Sequence, residues 1–131
     1  MENRKKHILV VYEDGRNELE NAAKTIKTNL AGSAVVKIRL ASETSIPEIL
    51  AADAYVFGVN TPGAPFWAEL KRALGGMNLA GRPAAFFSAG GEALGLRKAF
   101  VASELSLPVE DAAVADGAEF SAWIDRLMKT F

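Results

Sequence analysis

Residues 54–91 read AYVFGVNTPGAPFWAELKRALGGMNLAGRPAAFFSAGG. An apolar run over 55–59 enters a loop of Pro, Gly and aromatic residues, and a helical pattern follows over 66–74. A glycine-marked return leads to a second apolar run, 83–88, which ends in the small-residue loop Ser88-Ala89-Gly90-Gly91. Strand, helix and strand in this order form a βαβ unit with parallel strands. In a parallel α/β sheet, loops at the carboxyl ends of neighbouring strands line the ligand crevice. The stretch therefore proposes both a fold class and the place where a planar ligand would sit.

The alternation extends in both directions. Residues 7–12, HILVVY, form a continuous apolar run of strand length, as expected for a strand covered on both faces. Leu19, Ala22, Ala23, Ile26 and Leu30 then recur at helical spacing, with Asn17 and Glu20 spaced as a capping box and Gly32 closing the helix. Over 34–40, Val36, Ile38 and Leu40 alternate with Lys37 and Arg39, the pattern of an edge strand with one face nearer solvent. Ser45, Pro47 and Glu48 mark the start of a short helix that ends near Ala52. A fourth helix is expected over 92–105 and a fifth, Ala-rich strand over 109–115. The last helix carries Phe120, Trp123, Ile124, Leu127, Met128 and Phe131 as one apolar stripe, so Trp123 is expected in the core. The most economical arrangement is a three-layer α/β/α sandwich around a five-stranded parallel sheet of order 2-1-3-4-5, with residues 1–131 as one domain.

Composition narrows the function. Half of the 131 residues are hydrophobic and the formal net charge is -1, which fits an ordinary globular chain and argues against a broad nucleic-acid surface. The basic run Arg4-Lys5-Lys6 is short and reads as a solvated tail. No apolar run is long enough to span a bilayer or to serve as a signal peptide, so no membrane partner is expected and cytoplasmic residence is the default. There is no cysteine, which excludes disulfides, thiolate metal sites and thiol catalysis. Any redox role must use a bound cofactor.

The residues DAYVFG, AELKRAL, LAGRPAAFF and SAGG, with the first strand and helix, resemble the flavodoxin-like proteins over most of the chain. The resemblance implies an FMN-binding electron-transfer module working with a redox partner protein, a carrier or binding domain rather than a stand-alone catalyst. It implies that Asn60, Thr61, Pro62, Gly63, Phe66 and Trp67 flank one face of a flavin ring, and that Ser88, Ala89, Gly90 and Gly91 approach its other side and polar edge. Small residues let backbone amides come close to a ring, and Trp67 or Phe66 has a face to stack on it. A Trp at a helix start beside a strand end is expected to be poorly placed for the core.

One motif departs from that pattern. The resemblance implies a T-x-T-G-x-T loop after the first strand, cradling the FMN phosphate at a helix N-terminus. This chain has Asp14, Arg16 and Leu19 in place of the hydroxyls and Asn17 in place of the glycine. Glu13, Asp14 and Glu18 add negative charge, and only Arg16 offsets it. Two like charges roughly 4 Å apart repel by about 4 kcal/mol at an intermediate dielectric. Two readings follow: a flavin held through its ring loops or with its phosphate paired to Arg16, or a cofactor-free interaction domain that has kept the fold, with an apolar patch near Phe66 and Trp67 closed by a partner or a second copy. Glu13 and Asp14 are expected as solvated turn acids or as complements to the helix dipole.

Other chemistries are disfavoured. A phosphoacceptor receiver domain needs an aspartate at the end of the third strand, where Gly58 stands. A Rossmann turn needs more glycines than Glu13-Asp14-Gly15-Arg16-Asn17-Glu18 contains. His7 is the only histidine and reads as a strand-edge residue, so nothing places a general base beside Ser88. No catalytic residue and no metal ligand is assigned.

Overall fold

A computed structural model describes residues 6–13, 15, 17–32, 34–60, 65–75, 82–88, 112–113 and 117–130. In chain order these are β1 (Lys6–Tyr12), α1 (Asn17–Leu30), β2 (Ala34–Leu40), a 3-10 turn (Ala41–Glu43), α2 (Ile46–Ala51), β3 (Ala54–Gly58), α3 (Pro65–Gly75), β4 (Ala84–Ser88), β5 (Ala112–Ala113) and α4 (Gly117–Thr130). All neighbouring strands are parallel. The four longer strands lie in the order β2-β1-β3-β4, and β5 adds a two-residue rung to the outer side of β4, at Phe87↔Ala112 and Ser88↔Ala113. The strand expected over 109–115 is thus seen only at those two residues; its remainder, and the helix expected over 92–105, lie outside the described residues.

Strand alternation sends successive side chains to opposite faces, and both faces are covered. On one face Ile8, Val10, Val36, Ala54, Val56, Ala85 and Phe87 pack against Leu19, Ala22, Ala23, Ile26 and Leu30 of α1 and Phe120, Trp123, Ile124 and Leu127 of α4. On the other, Leu9, Val11, Tyr55, Phe57, Ala84 and Phe86 pack against Ile49, Ala52, Trp67 and Leu70. Trp123 is fully buried, stacked on Phe120, as its place in the apolar stripe requires. β2 alternates buried and exposed residues at its start, as an edge strand with one drier face should.

The local signals before α2 act as the sequence implies. The Ser45 hydroxyl accepts the Glu48 N–H at 3.4 Å, and the Glu48 carboxylate accepts the Ser45 N–H at 3.3 Å. Glu48 also accepts from the Arg39 guanidinium on β2, tying the helix to the edge strand. At the amino ends of the strands, Arg82 donates to Ala52 O at 2.9 Å, Leu50 O at 3.1 Å and the Tyr55 hydroxyl at 3.0 Å, capping the last carbonyls of α2. α1 differs from expectation: Asn17 is already its first helical residue rather than its cap. Gly15, at φ 78° in the connection before it, takes the left-handed conformation that glycine adopts without strain.

Gly58 closes β3 beneath the ring of Phe87, its register partner on β4. A Cβ there would meet Phe87 Cζ at 2.5 Å and Cε2 at 2.8 Å. Phe87 has no room to swing aside, because Phe120 and Trp123 hold it edge-on. Gly58→Ala is therefore expected to lose about 1–3 kcal/mol in urea unfolding, by overpacking; an unchanged midpoint would show that the ring yields. A second expectation concerns acid. Burial raises the Glu48 pKa, but hydrogen bonds from Ser45 and the Arg39 guanidinium outweigh it and hold the carboxyl below its usual range. A depressed carboxylate stabilises the fold above its unfolded pKa, and that contribution is lost as pH falls through the folded value. Glu48→Gln should thus lower the urea midpoint near neutrality and show a smaller deficit at about pH 3.

Candidate functional site at the carboxyl ends of the strands

β1 and β3 are adjacent, and the chain leaves them on opposite sides of the sheet, towards α1 and α3. That is a topological switch point, where open α/β sheets hold their ligands. Each ladder runs one residue past its strand: Glu13 N–H donates to Gly58 O at 2.9 Å, and Val59 N–H donates to Phe87 O at 2.8 Å. The backbone at the rim is therefore set by the sheet itself.

Glu13 dominates the described part of this rim. It is the first residue after β1 and only 2% exposed. Its Oε1 accepts the Asn60 backbone N–H at 3.0 Å and the Trp67 indole N–H at 3.2 Å. The carboxylate thus bridges the end of β1, the segment after β3 and the first turns of α3. A buried carboxylate is tolerated when it is hydrogen-bonded, and bonds to a charged acceptor are among the stronger ones. The expectation of a solvated turn acid is overturned for Glu13; Asp14 lies outside the described residues.

Trp67 corrects a second expectation. It is fully buried, with its ring edge-on to Phe57 at a centroid distance of 6.3 Å. Helical side chains point back towards the N-terminus, so a Trp in the first turn of α3 reaches over the end of the sheet instead of standing at the rim. Trp67 and Leu70, three residues apart, share the inward face. With no exposed ring face, Trp67 supports the loop and does not form a stacking surface.

The other candidates are distributed as follows. Asn60 is half-buried, with its N–H taken by Glu13. Ser88 is half-buried at the end of β4, on the same rim. Asn17 is exposed at the start of α1. Phe66 lies in α3. Arg16, Thr61, Pro62, Gly63, Ala89, Gly90 and Gly91 lie outside the described residues. Leu19, where the resemblance wants a hydroxyl, is fully buried against the sheet. His7 is near the start of β1, roughly 20 Å of strand from Glu13 and the rim. That separates it from Ser88, so these two residues form no serine–histidine pair. Among the described residues no cluster of three or more His, Cys, Asp or Glu is placed to hold a metal ion, and no helix is long and apolar enough to cross a membrane.

Sequence reasoning missed Glu13 as a site residue. One signal was present: a buried indole N–H needs an acceptor, and a glutamate directly after the central strand is within reach of a Trp two residues into the next crevice helix.

The arrangement defines a doubly wound α/β protein with its crevice between β1 and β3. Its fold is flavodoxin-like. Flavodoxin 2 from Bacillus cereus superposes with a TM-score of 0.81 at 23% identity, covering 95% of this chain and 99% of that one. A Fusobacterium nucleatum flavodoxin bound to flavin mononucleotide gives 0.75 at 12% identity, over 96% and 99% of the two chains. The Streptococcus pneumoniae TIGR4 flavodoxin gives 0.74 at 13% identity, over 94% and 95%. By sequence, no family model and no curated protein matches.

FMN is the cofactor that the sequence resemblance implies, and part of the β1–α1 connection where its phosphate would lie is among the described residues. Among the described residues of the β1–α1 connection and the first turn of α1, which are Glu13, Gly15, Asn17, Glu18, Leu19 and Glu20, none carries a hydroxyl or a cationic side chain; Asp14 and Arg16 lie outside the described residues. Residues 13–20 contain no hydroxyl to cradle a phosphate, and Arg16 is the cation the sequence offers in its place. Removal of the bridge has a measurable cost. Glu13→Ala takes the acceptor from two N–H groups and is expected to lose about 2–4 kcal/mol in urea unfolding. Glu13→Gln keeps an oxygen of the same shape and should lose clearly less. Equal losses for the two variants would mean that the hydrogen bonds are not what Glu13 contributes.

Proposed function

We propose that this chain is a flavin-binding redox module of the flavodoxin type, which takes the flavin by its ring system. The observation that carries the reading is the β1/β3 switch point of a flavodoxin-like sheet, with Asn60 and Ser88 on one rim and small residues following each in sequence. Asn60, Thr61, Pro62, Gly63 and Phe66 would lie along one side of the ring, and Ser88, Ala89, Gly90 and Gly91 along the other. Glu13 and Trp67 hold the start of the first loop in place. A bound flavin, FMN by the resemblance, supplies the electron transfer. The protein's share is a dry, shaped crevice and backbone groups at the ring edge, and a partner protein would exchange the electrons.

The burial of Trp67 and of the Glu13 carboxylate that accepts from it favours a second reading, a cofactor-free interaction domain on the same fold. Its apolar surface does not include Trp67. Among the described residues the exposed large apolar side chains are Val35, Ile46 and Leu50, on β2 and α2.

Visible absorbance of the purified protein separates the two. The flavin reading expects a yellow protein, or quenching of added riboflavin or FMN fluorescence by the colourless one. No quenching of either flavin at high protein concentration would leave the interaction domain as the account of this chain.

A further inference from the structure

We infer that a second copy of this chain pairs with the amino half of β2, the two strands antiparallel and Val35 on the two-fold axis between them. The inference stands apart from the flavin reading and holds with or without a cofactor.

β2 is the outermost strand of the described sheet, and its register with β1 is unbroken over Ala34–Leu40. In β1 the Glu13 N–H and the His7 carbonyl face β3. Backbone groups alternate in direction along a strand, so Ile8, Val10 and Tyr12 face β2 and are met there by Val35, Lys37 and Arg39. The N–H and C=O groups of Ala34, Val36, Ile38 and Leu40 therefore point off the sheet. Two of those carbonyls are taken. The Arg39 guanidinium donates to Ile38 O at 2.8 Å, and the Thr44 hydroxyl donates to Leu40 O at 2.9 Å. The carboxyl half of the edge is thus guarded by the chain's own side chains. The amino half has no such guard among the described residues, and neither a proline nor a bulge interrupts it.

An open edge is a template for another strand, and the guard decides which strand fits. Antiparallel pairing about Val36 would need Ile38 O as an acceptor, which Arg39 occupies. Pairing about Lys37 would set that residue against its own equivalent, and like charges directly opposite are destabilising. Pairing about Val35 meets neither obstacle. The Ala34 N–H then donates to Val36 O of the second copy, the Val36 N–H donates to its Ala34 O, and the two-fold repeats both bonds. Every outward group of Ala34 and Val36 is used. Val35, 45% exposed, meets Val35 of the second copy across the axis, and on the other face Ala34 lies opposite Val36. α2 is only six residues long and leaves a groove beside Val35, lined by Lys37, Glu48 and Ala51, which gives the opposing valine room.

The lengths point to a second copy and not to a foreign strand. In this register Ile38 falls opposite Gly32 of the second copy, in the turn before its own β2, so no ladder bond is asked of the guarded half. An unrelated strand of ordinary length would run on into Arg39. The seam lies beside the sheet and the crevice at the carboxyl ends of its strands, so pairing leaves both crevices open.

Sedimentation equilibrium of the full chain is expected to show a weak monomer–dimer equilibrium, with a Kd on the order of 100 µM for so short a seam. Amide hydrogen exchange, read by NMR in dilute and concentrated samples, should slow several-fold on concentration at Ala34 and Val36 and stay unchanged at Ile38. Val35→Lys sets like charges on the axis at an exposed position and should weaken association about tenfold. Ala34→Pro removes an N–H that the β1 ladder does not use and should weaken it similarly. A chain that remains monomeric at roughly 1 mM overturns the inference. So does a dimer that Val35→Lys leaves intact, association without slower exchange at Ala34 and Val36, or growth beyond a dimer, which a closed two-fold seam does not allow. The exchange measurement on the unaltered chain decides the matter even if neither variant folds.

Discussion

A carboxylate that is almost wholly removed from water has to be held by donors, and the Asn60 and Trp67 N–H groups are two that hold Glu13. That requirement joins three pieces of chain that are distant in sequence: the end of β1, the residue two past β3, and the indole of α3. The bond lengths are ordinary, but the position is not, because these three pieces make the wall of the crevice between the central strands. Whatever enters that crevice meets a backbone already fixed by this chain's own side chains. The same bridge explains why Trp67 faces inward. Its ring packs on Phe57, and its only polar atom reaches an acceptor without solvent.

The bridge in turn depends on the sheet. β1 and β3 are covered by helices on both faces, so their side chains are apolar along almost their whole length. Polar groups appear only where the strands end. At the amino ends, Asp53, Arg82 and Tyr55 satisfy the backbone of β1 and the last carbonyls of α2. Burial raises the Tyr55 pKa against the opposing effect of Arg82, which keeps the hydroxyl in its neutral, donating form. At the carboxyl ends, Gly58 lets Phe87 lie across the last rung, and the rim begins immediately beyond it. One end of the sheet is thus closed by structural hydrogen bonds, while the other carries the loops and the buried acid.

Much of the fold was legible locally. The 7–12 run, the α1 stripe, the alternation of β2 and the Ser45–Glu48 box each describe a short segment whose physics is complete within a few residues. The failures are equally physical. Asn17 looked like a cap because cap residues are recognised by type, yet the helix already includes it as its first residue. Of the candidate site, the sequence proposed a rim and lacks, over residues 13–20, the hydroxyls that the resemblance implies. It did not separate the residues that face a ligand from those that support the wall.

By itself the sequence determined the parallel α/β class, the two apolar helix faces and the acidic character of the turn after β1. These follow from periodicity, from caps and from which side chains are present. Only the tertiary structure decided that Glu13 is buried and not solvated, and that Trp67 is core and not rim. Each of those outcomes depends on the other partner, 54 residues away along the chain. A donor and an acceptor that far apart have no common signal in the sequence until the sheet brings β1 beside β3.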